Sequence, residues 1–270
     1  MIIDLSRIRE WNHRRLEKRH MYQQLSGRVY QLENQLKNLA QAVADPHGLS
    51  MAYLRMRLLH CPEWYEYLLC AVPEGRLVID GGANLGLFSD LMLGLGATVV
   101  AFEPNPVLYR HLERKYSKHK KLQVDCASRL TLSSPGLLEI RQEAISINDE
   151  LLQFSMPNSG SFIGQSQGGS IENLDSGENN LDFEVKAIDF ISYLKDLGKD
   201  GIRPYLIKLD IEGAEFDVLN AILDAGMNDS FDYLVCETHE RFFEDGDKRI
   251  NQLKGRLRSG NVNNIFLDWA

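Results

Sequence analysis

The chain has few cysteines, no surplus of positive charge and no long hydrophobic run, and each shortage argues against a class of function. Its four cysteines, Cys61, Cys70, Cys126 and Cys236, show no Cys-x-x-Cys spacing, so the sequence signals neither a zinc ribbon nor a disulfide scaffold. Three of them stand among apolar neighbours, where a reduced thiol packs as a small hydrophobe. A reducing compartment is expected. With 38 acidic residues against 30 Lys and Arg, the net charge is −8. Binding to a nucleic-acid backbone needs clustered cations, so no nucleic-acid partner is expected. The one basic stretch, residues 114–121, reads as a solvated helix end. No short positive segment precedes an apolar core at the N-terminus, and no run is long enough to span a bilayer. The sequence therefore predicts a cytoplasmic protein without a membrane span.

A length of 270 residues holds one α/β domain and an extension. Residues 1–72 form the expected extension, which is helical. Within it Tyr22, Leu25, Val29, Leu32, Leu36, Leu39 and Val43 recur at alternating steps of three and four, which aligns them along one seam of a helix. The seam serves either a coiled coil, and hence a homo-oligomer, or packing of one long helix on the following domain. Asp45-Pro46-His47-Gly48 ends the helix in both cases. Two more helical patterns, residues 49–60 and 63–71, are separated by Pro62.

From residue 73 to 270 the pattern changes to alternating strands and helices. Strands are predicted at 77–80, 98–102, 138–145, 205–210, 233–237 and 265–267, with 122–124 competing for the third place. Helices are predicted at 87–95, 107–116, 214–225 and 247–257. This alternation implies an α/β fold with a mainly parallel sheet covered by helices on both faces. Two further strands, 151–156 and 182–188, flank residues 158–180, a polar insertion rich in Ser, Gly, Asn and Gln that has the composition of a mobile lid.

Chemistry concentrates where the first strand meets its helix. The run Asp80-Gly81-Gly82-Ala83-Asn84-Leu85-Gly86 joins a buried strand to a helix start, and Glu103 stands at the tip of the next strand, placed for a ribose hydroxyl pair. A dinucleotide fingerprint set on Gly81 and Gly86 puts Ala83 where the backbone must approach a pyrophosphate, which weakens an NAD reading. S-Adenosylmethionine carries a ribose but no pyrophosphate, and Asp80-x-Gly82-x-Asn84-x-Gly86 suits it better.

A second group follows later in the chain. In Lys208-Leu-Asp210-Ile-Glu212-Gly-Ala-Glu215, period-two alternation delivers Lys208 and Asp210 to one side of a strand. Glu212 and Glu215 surround the next helix start, where acids suit the dipole. Cys236-Glu237-Thr238-His239 repeats the geometry on the neighbouring strand, so Asp210, Glu237 and His239 are expected to converge.

Together, residues 78–86, Ala101-Phe-Glu-Pro-Asn105, Glu143-Ala-Ile-Ser146, Asn158-Ser-Gly-Ser161, Lys208–Glu215 and Cys236–His239 resemble the FkbM family of S-adenosylmethionine-dependent methyltransferases, over about residues 73–240. The resemblance implies a Rossmann-like class I methyltransferase fold. The implied activity is methyl transfer to a hydroxyl of a sugar, glycan, polyketide or other small metabolite. By the same likeness Asp80, Gly82, Asn84 and Gly86 line the methionine portion, Glu103 the ribose, and Glu143 and Ala144 the adenine edge. Asp210, Glu212, Glu237 and His239 face the acceptor. The heptad-bearing N-terminus is outside the family pattern.

Two routes to proton removal remain open. Asp210 or His239 takes the acceptor proton directly, or Asp210 and Glu237 hold a divalent cation that lowers the pKa of the oxygen. The rival functions are an NAD-dependent oxidoreductase or epimerase, for which no tyrosine–lysine pair is recognisable, and a coiled-coil scaffold that keeps the cofactor fold without turnover.

Overall fold

The computed structural model describes residues 72–117, 136–157 and 180–269. The expected helical extension apart from Val72, with its heptad segment 22–43, the competing strand at 122–124, the Asn158–Ser161 motif, Cys61, Cys70, Cys126 and all of the polar insertion except Asn180 lie outside the described residues. In chain order the described strands and α-helices are β1 (Leu77–Gly81), α1 (Leu87–Gly94), β2 (Thr98–Phe102), α2 (Pro106–Lys115), β3 (Leu138–Arg141), β4 (Ala144–Ser146), β5 (Glu150–Pro157), β6 (Asn180–Asp189), α3 (Phe190–Lys199), β7 (Leu206–Leu209), α4 (Glu215–Asp224), β8 (Tyr233–Cys236), α5 (Gly246–Ser259) and β9 (Ile265–Phe266).

The main sheet runs β3-β2-β1-β7-β8-β9, with every adjacent pair parallel. Its strands read as almost unbroken apolar runs because both faces are covered. Alternation divides them between two cores. Leu77, Ile79, Val100, Phe102, Ile207, Leu209 and Leu234 pack with residues of α3, α4 and α5. Val78, Val99, Ala101, Leu206 and Val235 pack with Phe88 and Met92 of α1, Leu112 of α2 and Trp269. Helices therefore cover both faces. Each buried Leu or Ile side chain contributes about 2 kcal/mol to stability, so the two cores specify strand register as well as compactness.

Local signals set the helix starts. Asn105 accepts hydrogen bonds from Val107 N–H and Leu108 N–H, and Pro106 opens α2 with its φ already helical. Asp189 caps α3 in the same way through Ile191 N–H and Ser192 N–H. The sequence-derived element order omits α3, although its cap and the apolar positions Phe190, Ile191, Leu194 and Leu197 have helical spacing.

The expected strand at 138–145 is two strands in two sheets. β3 completes the main sheet beside β2, whereas β4 joins a second sheet of order β4-β6-β5. The chain leaves one sheet for the other at Gln142-Glu143, because Ala144 aligns with Ala187 of β6 rather than with β2. β5 and β6 pair antiparallel from Glu150–Ala187 to Pro157–Asn180, so the polar insertion joins the two strands of a hairpin.

Strand order reverses between β1 and β7, and in parallel sheets the crevice beyond the carboxyl ends at this reversal is the ligand position. Gly82 makes the close approach there. Its φ is +74°, and a Cβ on it would lie 1.8 Å from the carbonyl oxygen of Asp210. Gly82→Ala should therefore cost about 2–4 kcal/mol, combining left-handed backbone strain with displacement of the β7 end. Denaturant unfolding checks this; a loss below about 1 kcal/mol would show that the turn relaxes freely.

Candidate active site

Lys208 is the structural centre of the carboxyl edge. Alternation along β7 turns it away from Ile207 and Leu209 and beneath the β1 turn, where only 2% of its side chain is exposed. Its Nζ lies 3.1 Å from Asp80 Oδ1, 3.1 Å from the Gly81 carbonyl oxygen and 2.9 Å from that of Gly82. Asp210 Oδ2 is 3.6 Å away. Asp80 also accepts a hydrogen bond from Ser89 Oγ at 2.6 Å. A buried ammonium is tolerable only with such partners, and together they fix where the glycine turn sits.

The turn uses its own donors internally. Gly82 N–H and Ala83 N–H both donate to the Phe102 carbonyl, Gly86 N–H donates to that of Ala83, and Asn84 N–H donates to Glu103 Oε2 at 2.7 Å. Asn84 adopts φ +52° to do so, a conformation Asn tolerates better than most residues. From the other side Lys115 Nζ reaches the Leu85 and Gly86 carbonyls, and the Tyr116 hydroxyl lies 2.8 Å from the Gly86 oxygen and 2.7 Å from Asp90 Oδ1. Lys115 is thus part of the turn's support and is not simply a solvated helix end.

Glu103 follows β2 and is nearly buried. Its second oxygen accepts Asn105 N–H at 2.9 Å. Burial pushes the carboxyl up to about 7, against the opposing pull of the Asn105 and Asn84 bonds and of the Lys208 charge. Each oxygen keeps capacity for a second donor, which suits a pair of hydroxyls.

Glu143 lies between β3 and β4. Lys186 Nζ donates to its Oε1 at 2.6 Å, and Arg141 Nε stands 2.7 Å from Oε2 as an ion pair. That approach lacks hydrogen-bond alignment, so Oε2 is a buried acceptor without an aligned donor. Arg141 also lies over the rings of Phe102 and Tyr193 at 5.4 and 5.3 Å. Ala144 is buried against Phe154, Val185 and Ala187 and supplies an apolar wall.

At the far end, Asp210, Glu212, Glu237 and His239 come together. Glu215 sets their arrangement: Oε1 accepts Ile211 N–H at 2.8 Å and Oε2 accepts Gly213 N–H at 2.9 Å. His239 Nδ1 lies 2.8 Å from the same Oε1, so this ring nitrogen carries a proton and donates. Nε2 then faces Glu212 Oε2 at 3.3 Å, Glu237 Oε1 at 3.5 Å and Asp210 Oδ1 at 3.7 Å. Burial pulls the imidazole pKa down, but the Glu215 bond and the surrounding carboxylates outweigh it and push the value up to about 9. Glu212 is raised by burial and by its acidic neighbours, against the pull of His239. Glu212 and His239 both hold left-handed backbone, at φ +57° and +44°. For a glutamate that is costly, on the order of 1 kcal/mol, and such strain gathers at functional sites.

The sequence-derived candidates therefore fall along the carboxyl edge in strand order: Glu143 after β3, Glu103 after β2, Gly82 and Asn84 after β1, Asp210 after β7, Glu237 and His239 after β8. Neighbouring strands are about 4.8 Å apart, so the row can accommodate an extended ligand. Asp80 and Gly86 stand behind it, Asp80 held by Lys208 and Ser89 and Gly86 by Tyr116. The sequence motif contained Lys208 and Glu215 but gave neither this role. The signal available for Lys208 was a cation inside an apolar strand; for Glu215 it was an acid that could fold back on the N–H groups before its helix.

Residues 80–259 match the Methyltransferase FkbM domain. Among curated proteins, the chain is 28% identical to "Methyltransferase sdnD" of Sordaria araneosa over 184 residues, covering 60% of this chain and 64% of the relative. It is 24% identical to "Methyltransferase 1" of Beauveria bassiana (strain ARSEF 2860) over 187 residues, covering 63% of this chain and 68% of the relative. The domain match covers most of the chain, and its bounds enclose the glycine turn, the Lys208–Glu215 segment and the acid–histidine cluster. The chain belongs to the FkbM methyltransferase family.

Proposed function

We propose that the protein is an S-adenosylmethionine-dependent O-methyltransferase acting on a hydroxyl of a small metabolite or glycan. The observation that carries this reading is the row of groups in strand order, running from Glu143 and Ala144 beyond β3, past Glu103 beyond β2, to the acids after β7 and β8. Donor chemistry supports the fit. Both Glu103 oxygens can take a hydroxyl, and Ala144 supplies an apolar wall beside them in the row. The N–H groups of Gly82, Ala83, Asn84 and Gly86 are satisfied internally, leaving this part of the turn without the donors a pyrophosphate cradle uses. That counts against the NAD reading.

When bound, the cofactor supplies an activated methyl group, and transfer needs an acceptor oxygen held in line and relieved of its proton. Asp210 is the group we assign to that proton: it ends β7 beside the Gly82 turn, and its carboxylate is partly exposed. His239 is held by Glu215 and serves to position Asp210, Glu212 and Glu237 around one point.

Two measurements check these assignments. S-Adenosylhomocysteine should bind in the micromolar range and NAD should not. A ribose hydroxyl pair favours ionised Glu103, whose pKa is pushed up to about 7; affinity should therefore rise about tenfold between roughly pH 6 and 8 and then level. Calorimetry reads both results, and Glu103→Ala should bind weakly with a flat pH profile. Binding of NAD alone would overturn the methyltransferase reading.

For the chemical step, Asp210→Asn should lower the single-turnover rate about a hundredfold or more while cofactor affinity changes little. A rate near that of the unaltered protein would remove Asp210 from proton transfer.

A further inference from the structure

The acid–histidine cluster has features that proton transfer alone does not require. Asp210, Glu212 and His239 each offer one ligand atom, all within 4.8 Å of one another. Bonds of about 2.1 Å to a common ion place neighbouring ligand atoms roughly 3–4 Å apart, and Nε2 lies 3.3 Å from Glu212 Oε2 and 3.7 Å from Asp210 Oδ1. The histidine side chain is 1% exposed. Nε2 is aimed into the cluster while Nδ1 is fixed by Glu215, a carboxylate itself locked by two backbone N–H groups. A carboxylate that binds one ring nitrogen and presents the other to acidic oxygens is the outer support found behind metal-bound histidines. Glu237 adds a third carboxylate at 3.5 Å from the same nitrogen.

We propose that Asp210, Glu212 and His239 bind one hard divalent cation, Mg²⁺ or Mn²⁺, which displaces the proton from Nε2 to solvent, with Glu215 orienting the imidazole. The ligand set decides the class: two carboxylates outnumber one nitrogen and no thiolate takes part, which favours an oxygen-seeking ion. Glu237 stands next to the site as a neighbouring acceptor for water or substrate. The cation lies at the end of the row where the proposed acceptor oxygen must come. There it lowers the pKa of an oxygen bound to it. That role rests on the methyltransferase reading; the binding site does not.

The test is Mn²⁺ titration of the full-length protein, stripped with chelator, followed by electron paramagnetic resonance. The free-ion signal should disappear up to one ion per chain, and pulsed measurements should show coupling to one imidazole nitrogen. Asp210→Asn and Glu212→Gln should each weaken binding at least tenfold. The nitrogen coupling is read on the unaltered protein, so it decides the matter even if a variant misfolds. No Mn²⁺ bound at millimolar concentration, or binding without nitrogen coupling and unchanged in folded variants, would overturn the site. S-Adenosylhomocysteine calorimetry on the same samples keeps the two readings separate. Mn²⁺ coupled to nitrogen without cofactor binding upholds the site while removing the methyltransferase reading.

Discussion

A lysine ammonium sealed under a glycine turn is the constraint on which the carboxyl edge depends. Taking the Lys208 charge out of water costs several kcal/mol, and Asp80 with the carbonyls of Gly81 and Gly82 must offset it. Those partners determine where the β1 turn sits against β7. Once the turn is in place, Gly82 touches the Asp210 carbonyl, Asn84 N–H meets Glu103, and the acid after β7 comes beside the turn. One buried charge thus connects the β1 and β2 half of the edge with the half formed after β7 and β8.

The acids along this edge do different work because their surroundings differ. Asp80 and Glu215 are buried and held by fixed partners, so they shape the edge. Glu103 keeps acceptor capacity after β2, and Glu143 is paired with Lys186 and Arg141. Asp210, Glu212 and Glu237 are more exposed and gather around a histidine held from behind. Carboxylates alike in sequence are thereby divided between buried structural positions and the more exposed cluster around His239.

Much of this was legible from the residues alone. Apolar runs ending in Asp80, Phe102, Asp210 and Glu237 marked the parallel strands, and the acids beyond them fell on the predicted side. The break at Gln142-Glu143 was not legible, because residues 138–145 read as one strand until Ala144 finds Ala187 far along the chain. Tertiary pairing overrides local pattern there. Lys208 and Glu215 were visible as letters of a motif, but their roles depend on groups distant in sequence: Asp80 is 128 residues from Lys208, and His239 is 24 from Glu215. α3 had both its cap and its apolar spacing in the sequence. The glycines were recognised as a turn, yet the reason for Gly82 is the Asp210 carbonyl, a contact that local sequence cannot show.

The most direct measurement replaces Lys208 by Met, which keeps the bulk and removes the charge. If the buried ammonium organises both halves of the edge, equilibrium unfolding should show a loss of about 3–5 kcal/mol, the usual scale for breaking a buried pair. Calorimetry on the folded variant should show S-adenosylhomocysteine affinity reduced tenfold or more. A variant with unchanged stability and unchanged affinity would contradict the central role of Lys208.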